Sequence, residues 1–178
     1  MKKFLSFIWE IFKIVVISLA IIIPVRYYLV QPFFVRGASM EPNFDNGEYL
    51  IVDELTYRLR EPGRGEVIVF KFPKDTSQYY IKRIVALPGE TIEIHDKKII
   101  IYNQGFKEGV VLDESSYLAN GLNTWGDIKV ILASNEYFVL GDNRGASSDS
   151  RQWGVLPQKD IIGRVWIRAW PFEKAEVF

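Results

Sequence analysis

The chain has 178 residues and no net formal charge, with 22 basic and 22 acidic side chains, one histidine and no cysteine. That length holds one compact domain, with at most a small subdomain and an anchor. The missing cysteines exclude disulfides, thiolate catalysis and zinc–sulfur sites and leave the redox compartment undecided, and no basic stripe outside the first 31 residues points to nucleic acid. The two parts of the chain differ in charge: residues 1–31 carry +3 and the remaining 147 carry −3.

From Phe4 to Val30 the sequence is mostly apolar, and between Ile14 and Val25 only Ser18 and Pro24 interrupt it. About 20 helical residues cross a bilayer core, and Phe12 to Val30 reaches that length, with Lys13 and Arg26 reaching towards the two interfaces. Trp9, Tyr27 and Tyr28 stand where interfacial aromatics are expected. A cleavable signal peptide fits the Lys2-Lys3 start, but Arg26-Tyr27-Tyr28 follows the apolar run where small residues are needed. The nearest small residues, Gly37-Ala38-Ser39, come late. A buried helix of a soluble protein would need a larger core than the rest of the chain supplies. An interfacial helix stays open, because Glu10 and Lys13 make the first turns amphipathic. An uncleaved anchor is the favoured reading.

Beyond residue 31 the period becomes strand-like. Expected strands are Tyr49 to Val52, Val67 to Phe70, Tyr80 to Val85, Thr91 to Ile94, Ile99 to Tyr102, Tyr137 to Leu140 and Gly163 to Ala169. Turn residues punctuate them at Asn46-Gly47, Glu61-Pro62-Gly63, Pro88-Gly89, Asn103-Gln104-Gly105 and Asn120-Gly121. Only Asp53 to Arg60 reads as a short helix. The domain is mostly β, and residues 89–136 read as a small lobe inserted between the two parts that carry the chemistry.

Three stretches carry that chemistry: Ser39-Met40-Glu41-Pro42, Tyr80-Ile81-Lys82-Arg83-Ile84-Val85, and Gly141-Asp142-Asn143-Arg144 running on to Ser147-Ser148-Asp149-Ser150-Arg151. A serine hydroxyl needs a base to take its proton. His95 stands on a predicted strand with no partner motif, so lysine is the remaining candidate base, and it must be neutral to serve. Free lysine titrates near 10.4, and apolar burial lowers it. On a strand, Lys82 shares its face with Tyr80 and Ile84, while Arg83 points the other way. Each stretch also has a bland reading. Ser39 alone is a turn-capping residue, Lys82-Arg83 a solvated strand position, and the acidic loop a solvated turn. A calcium loop is disfavoured there by the missing Asp-x-Asp-x-Asp-Gly spacing and by two arginines.

Together, and in this order behind one apolar segment, these stretches resemble bacterial type I signal peptidases. Those are membrane-anchored proteases that use a serine–lysine dyad to remove signal peptides from exported proteins. The resemblance runs from the anchor through Ile162-Gly163-Arg164. It implies a β-ribbon catalytic core (32–88 and 137–178), a small inserted cap lobe (89–136) and one N-terminal transmembrane helix (1–31). By the same resemblance Ser39 is the nucleophile, Lys82 its general base, and Ser147 the hydroxyl that orients the lysine. The Ser39 backbone N–H serves the oxyanion, and Phe33, Val35, Met40 and Ile81 wall the substrate pocket. Asp142 pairs with Arg83 and Asp149 with Arg151 to brace the site. No metal or organic cofactor is implied. The implied partners are the lipid bilayer and preprotein signal peptides with small residues before the cut. The implied location is the cell membrane, with the N-terminus cytoplasmic and the catalytic domain outside.

This chain departs from the family pattern in two places. Gly37 stands where many relatives carry a serine that supplies the second oxyanion donor. Asn43 replaces the usual threonine and is expected to make turn hydrogen bonds. Rival readings are a related processing protease of the same superfamily or, in a different class, an inactive membrane-tethered binding protein. Self-cleaving repressors share the dyad, but they carry a DNA-binding domain where this chain has its apolar segment.

Overall fold

The structure, a computed structural model, describes residues 2–28, 30–118 and 123–178. The side chains of residues 2, 3, 5 and 24–30 lie outside that description, and with them the interfacial roles expected of Arg26, Tyr27 and Tyr28. The turn expected at Asn120-Gly121 is likewise outside it. Helix α1 (Lys2–Tyr28) opens the chain. Its segment from Ser6 to Ile23 is long and apolar enough to cross a membrane, and none of that segment is buried against the rest of the protein. The expected end of the span at Val30 is corrected, since Val30 already begins strand β1 (Val30–Phe34). Pro32 accounts for the switch: it biases Gln31 towards extended backbone and cannot continue a helix. Glu10 and Lys13 form an exposed ion pair at 2.8 Å, so Lys13 meets a carboxylate on its own helix.

Strands β2 (Tyr49–Asp53), β3 (Val67–Phe72) and β4 (Asp75–Ala86) follow, with helix α2 (Thr56–Leu59) after β2. Next come β5 (Thr91–His95), β6 (Lys98–Tyr102), β7 (Val110–Val111) and β8 (Ile128–Ile131). Strand β9 (Glu136–Leu140), helix α3 (Ser150–Trp153) and strands β10 (Leu156–Pro157), β11 (Ile161–Trp170) and β12 (Glu176–Val177) complete the chain. Among the described residues, eight strands form one sheet, in the order β1-β2-β11-β3-β4-β9-β10 with β12 beside β11. The other four form a second sheet, β7-β6-β5-β8. All seven expected strands are present. The weakly patterned β1, β7, β8, β10 and β12 were not expected, and four of them are edge or near-edge pieces whose backbone pairing owes little to side-chain period.

Strand β3 shows how the main sheet is buried on both faces. Val67 and Val69 pack on one side with Val35, Met40, Phe44, Leu50 and Val52. Ile68 and Phe70 pack on the other with Ile84, Tyr137, Val139 and Leu156. A continuous apolar run buried twice is what period-two alternation requires of a central strand. The second sheet is held through a third cluster, in which Ile92, Ile94, Ile99 and Ile101 meet Val85, Ala86, Phe138 and Leu140 of β4 and β9. Beta4 therefore carries apolar contacts to both sheets.

The C-terminal tail is tied down by charge. Arg168 on β11 is 8% exposed and donates to Glu48, which is 2% exposed, at 3.1 and 3.2 Å. It also donates to the carbonyls of Asn43 and Lys174, each at 2.8 Å. Removing one partner of such a pair leaves a charge buried without compensation, a loss of about 3–5 kcal/mol. Arg168→Met is therefore expected to lower the melting temperature by on the order of 10 °C. Adding Glu48→Leu to it should recover part of that loss, as scanning calorimetry of the two variants would show.

Candidate active site

The Ser39 turn leaves β1 through Val35 and Arg36. Gly37 adopts φ +87°, a conformation that favours glycine over any residue with a side chain. Its N–H donates to Asn46 Oδ1 at 2.9 Å, fixing the turn against the loop before β2. The turn carries Ser39 towards β4, where Lys82 Nζ lies 2.7 Å from Ser39 Oγ and 2.7 Å from the Ile81 carbonyl oxygen. The same nitrogen sits 5.5 Å from the centre of the Tyr80 ring. Lys82 is 3% exposed. Burial lowers its pKa from 10.5 to about 8, against Asp149 and Asp142, whose charges favour the ammonium. At 2.7 Å a neutral amine accepts the serine proton directly.

The loop after β9 closes around the turn from the other side. Asn143 donates from its backbone to the Ser39 carbonyl at 3.1 Å and from Nδ2 to the Ala38 carbonyl at 3.0 Å. Among the described residues, the Ser39 N–H itself donates to no protein group. Behind the lysine, Arg83 grips Asp142 through Nε at 2.8 Å and Nη2 at 2.6 Å. Arg151 grips Asp149 at 2.8 Å through both Nε and Nη2. Both aspartates are fully buried, a position that carboxylates hold only when paired.

Three expectations need correction. Ser147 is buried near the site, but its hydroxyl makes no hydrogen bond to Lys82 and none to any other described group. It is turned onto Gly141: a Cβ at that glycine would lie 2.1 Å from Ser147 Oγ and 2.4 Å from the Ser39 carbonyl oxygen. The lysine takes its second contact from the Ile81 carbonyl instead. Met40 does not wall the substrate cleft. It is 1% exposed and packs in the core with Val35 and Phe44, because a tight turn that faces Ser39 outwards sends its neighbour in. Among the described residues the Asn43 side chain makes no turn hydrogen bond; its Nδ2 donates to Asp142 Oδ2 at 2.8 Å and to the Tyr117 carbonyl at 2.7 Å.

A cleft of about 640 Å³ opens at the dyad, lined by Phe33 to Arg36, Ser39, Gln78 to Lys82 and Ser148. Beta4 pairs with β3 from Asp75 to Arg83 and with β9 only from Arg83 to Ala86. On that second side, residues 75–82 have no strand partner among the described residues. Beta1 is the opposite free edge, and the Phe33 and Tyr79 rings approach to 5.6 Å across the cleft. His95 lies outside the site, at the exposed end of β5 beside Asp127. Among the described residues no group of three or more His, Asp or Glu is placed to hold a metal ion.

The sequence places Gly141, Asn143, Arg144 and Ser148 in the acidic-loop stretch without giving any of them a separate role, and it singles out neither Glu114 nor Tyr117. The glycine bounding the acidic loop could have flagged a close backbone approach. Nothing in the sequence pairs Glu114 with Arg144, which are 30 positions apart and joined at 2.5 Å.

A family model described as signal peptidase, peptidase S26, matches residues 8–170. A probable signal peptidase I-2 of Synechocystis is 33% identical over 167 residues, covering 91% of this chain and 73% of that protein. Signal peptidase I P of Bacillus subtilis subsp. natto is 33% identical over 165 residues, covering 91% of this chain and 89% of that one. A crystal structure of a signal peptidase I from Enterococcus faecalis aligns with a TM-score of 0.48 at 30% identity, over 60% of this chain and 97% of that one.

Two predictions follow from this geometry. Gly141→Ala drives a methyl into the Ser39 carbonyl and the Ser147 hydroxyl, and a displacement of about 1 Å there should lower kcat roughly 100-fold in a cleavage assay. The second concerns stability. The folded Lys82 titrates below the unfolded one, so the unfolded state binds the proton more tightly and stability rises as pH climbs from about 8 towards 10.5. Below pH 8 the full cost of burying the ammonium is present, about 3 kcal/mol. Lys82→Met should therefore be inactive yet more stable than the parent at pH 7, by denaturant titration.

Proposed function

Because the chain belongs to the signal peptidase family of S26 peptidases, we propose that it is a membrane-anchored endopeptidase that removes signal peptides from exported preproteins. The observation that carries the mechanism is the 2.7 Å approach of a buried lysine nitrogen to a serine hydroxyl. In the first step Ser39 Oγ attacks the scissile carbonyl carbon while its proton passes to Lys82 Nζ. The carbonyl oxygen, now negative, is held by the Ser39 N–H, a donor fixed before the charge develops. The tetrahedral adduct collapses, the C–N bond breaks, and the Lys82 ammonium returns the proton to the leaving amine. What remains is an ester of Ser39. Water attacks that ester with Lys82 again as base, releasing the carboxylic acid and restoring the serine. The Arg83–Asp142 and Asp149–Arg151 pairs brace this unit from behind.

The substrate reaches the dyad as an extended strand between the free edges of β1 and β4. Backbone pairing sets register, and alternate side chains face the protein. Phe33, Val35 and Ile81 wall the cleft, so the residues one and three places before the cut must be small, while the residue between them faces out. Residues 1–31 are the anchor, with the N-terminus cytoplasmic and the catalytic domain on the far side, an orientation that rests on the family. The sheet β5–β8, within residues 89–136, is the inserted cap lobe on the core formed by 32–88 and 137–178.

The test is cleavage of a preprotein by the purified full-length chain. Ser39→Ala and Lys82→Ala should each abolish turnover, with no further loss in the double variant, because one proton transfer needs both. Substantial turnover by Lys82→Ala would show that another base acts. For the parent, kcat should rise with pH through about 8 and then level, since the neutral amine is the active form. A rate still climbing at the ordinary lysine pKa would count against a buried base. In the substrate, Ala→Leu immediately before the cut should lower processing far more than Ala→Leu one position earlier. Equal tolerance at the two positions would defeat strand addition while leaving a protease.

A further inference from the structure

The segment between β7 and β8 places one carboxylate where it governs the nucleophile's turn. Glu114 accepts both arms of Arg144, from Nη1 at 3.0 Å and from Nη2 at 2.5 Å. The third direction of the same guanidinium, Nε, donates to the Gly141 carbonyl at 3.0 Å. Nη1 also meets the Thr124 hydroxyl. The Arg144 side chain is 1% exposed and that of Glu114 14%, so neither competes with bulk water. A guanidinium is rigid and planar, and fixing two of its nitrogens fixes the third. Gly141 is the residue that touches both the Ser39 carbonyl and Ser147. The chain of contacts therefore runs from Glu114 through Arg144 to the backbone against which Ser39 rests.

Glu114 also reaches the second buried pair. The Tyr117 hydroxyl donates to Glu114 Oε1 at 2.7 Å, and the Tyr117 ring lies 4.2 Å from the Arg83 guanidinium that grips Asp142. One carboxylate of the inserted segment thus anchors both an arginine behind Gly141 and an aromatic ring against Arg83.

We propose that Glu114 is a positioning residue for the Ser39 nucleophile, acting through Arg144 and the Gly141–Asn143 clasp. This rests on Ser39 and Lys82 being the reacting pair. Glu114 touches no substrate, and its effect is on where the Ser39 carbonyl, and hence the hydroxyl and the free N–H, are held. It makes the inserted segment between β7 and β8 a working part of the site, since the nucleophile's placement is referred to a residue outside the catalytic segments.

The competing possibility is that Glu114 only neutralises a buried arginine and so holds the fold together. The full-length protein in detergent distinguishes the two. Glu114→Gln keeps an acceptor but loses the charge and one arm of the fork. It should lower kcat roughly 100-fold with KM unchanged, and leave the pH dependence of kcat centred near 8, because Lys82 stays buried. The double variant Glu114→Leu with Arg144→Met replaces the pair by apolar groups of similar size, an exchange that keeps stability, while Gly141 loses its Nε donor. It should melt like the parent and be as slow as Glu114→Gln. Recovery of parental kcat together with the melting temperature would overturn the proposal. So would a Glu114→Gln variant whose loss of activity comes only from a pH profile moved towards that of an ordinary lysine, the mark of a loosened, wetter site. Ser39→Ala is assayed alongside: cleavage by it refutes the dyad itself, whereas an inactive Ser39→Ala beside a fully active Glu114→Gln refutes only the role of Glu114.

Discussion

On the proposed mechanism, keeping the Lys82 amine neutral is the condition on which the rest of the site depends. A lysine in water holds its proton far above neutral pH, and only withdrawal from water makes it a usable base. The chain withdraws it to 3% exposure, yet two aspartates stand close enough to favour the ammonium again. Both are fully buried and each is gripped by two nitrogens of an arginine. Opposite charges a hydrogen bond apart present a dipole where a lone carboxylate would present a full charge, and a dipole's field falls off faster. The ion pairs therefore act as scaffolding whose influence on the amine is limited by their own partners. Buried pairs are poor sources of net stability, so their contribution here is chiefly to fix the position of the loop behind Lys82.

That arrangement draws on three separated stretches because one strand cannot supply it. Beta4 has two halves with different neighbours. Its inner half pairs with β9, sharing only Arg83 with the β3 ladder, and carries Arg83, Ile84 and Val85 into the core. Its outer half pairs on one side only, leaving Gln78 to Lys82 at the cleft. Lys82 sits at the junction, close enough to the core to be dry and close enough to the open edge to reach Ser39. The serine must then be brought to it by a separate turn, which the positive φ of Gly37 and the Asn143 clasp hold in place.

The sequence made the long-range order of the chemistry legible and the local packing much less so. Strands with strong alternation or buried apolar runs, such as Val67 to Phe70 and Tyr80 to Val85, were readable because burial on a sheet face leaves a period. Beta1 was not, since Val30-Gln31-Pro32-Phe33-Phe34 continues the apolar composition of the helix before it, and composition alone does not mark where a helix ends. The serine, the lysine and the acidic loop were visible as residue types at motif spacing. What stayed hidden was direction. A motif names Ser147 and Met40 without saying which way they point, and in the structure one turns onto Gly141 and the other into the core. Asn43 was read as a local turn residue because short polar side chains usually bond nearby backbone, whereas here it spans 99 positions to reach Asp142. Contacts between distant segments leave no trace in a single sequence.

With Lys82 as the proposed base, the open side of the site can present a different kind of surface from that of a histidine site. A histidine base becomes an imidazolium during the reaction and is steadied by a carboxylate set beside it. The neutral amine of Lys82 takes its contacts from Ser39 Oγ and the Ile81 carbonyl, and the carboxylates near it are sealed at the back. Among the described residues no carboxylate lines the cleft, whose wall is mostly apolar, with Phe33, Val35, Leu50, Tyr79 and Ile81, and polar at Arg36 and Gln78. Strand β1, which supplies Phe33 to that wall, starts at Val30, two residues after α1 ends. A site walled by such groups loses little by lying against hydrocarbon, where a site lined with carboxylates would suffer a large desolvation penalty. Putting the charges behind the lysine and the aromatics in front of it therefore suits a catalytic domain tethered by an apolar helix, and the same apolar front is what admits an extended, uncharged peptide segment to the dyad.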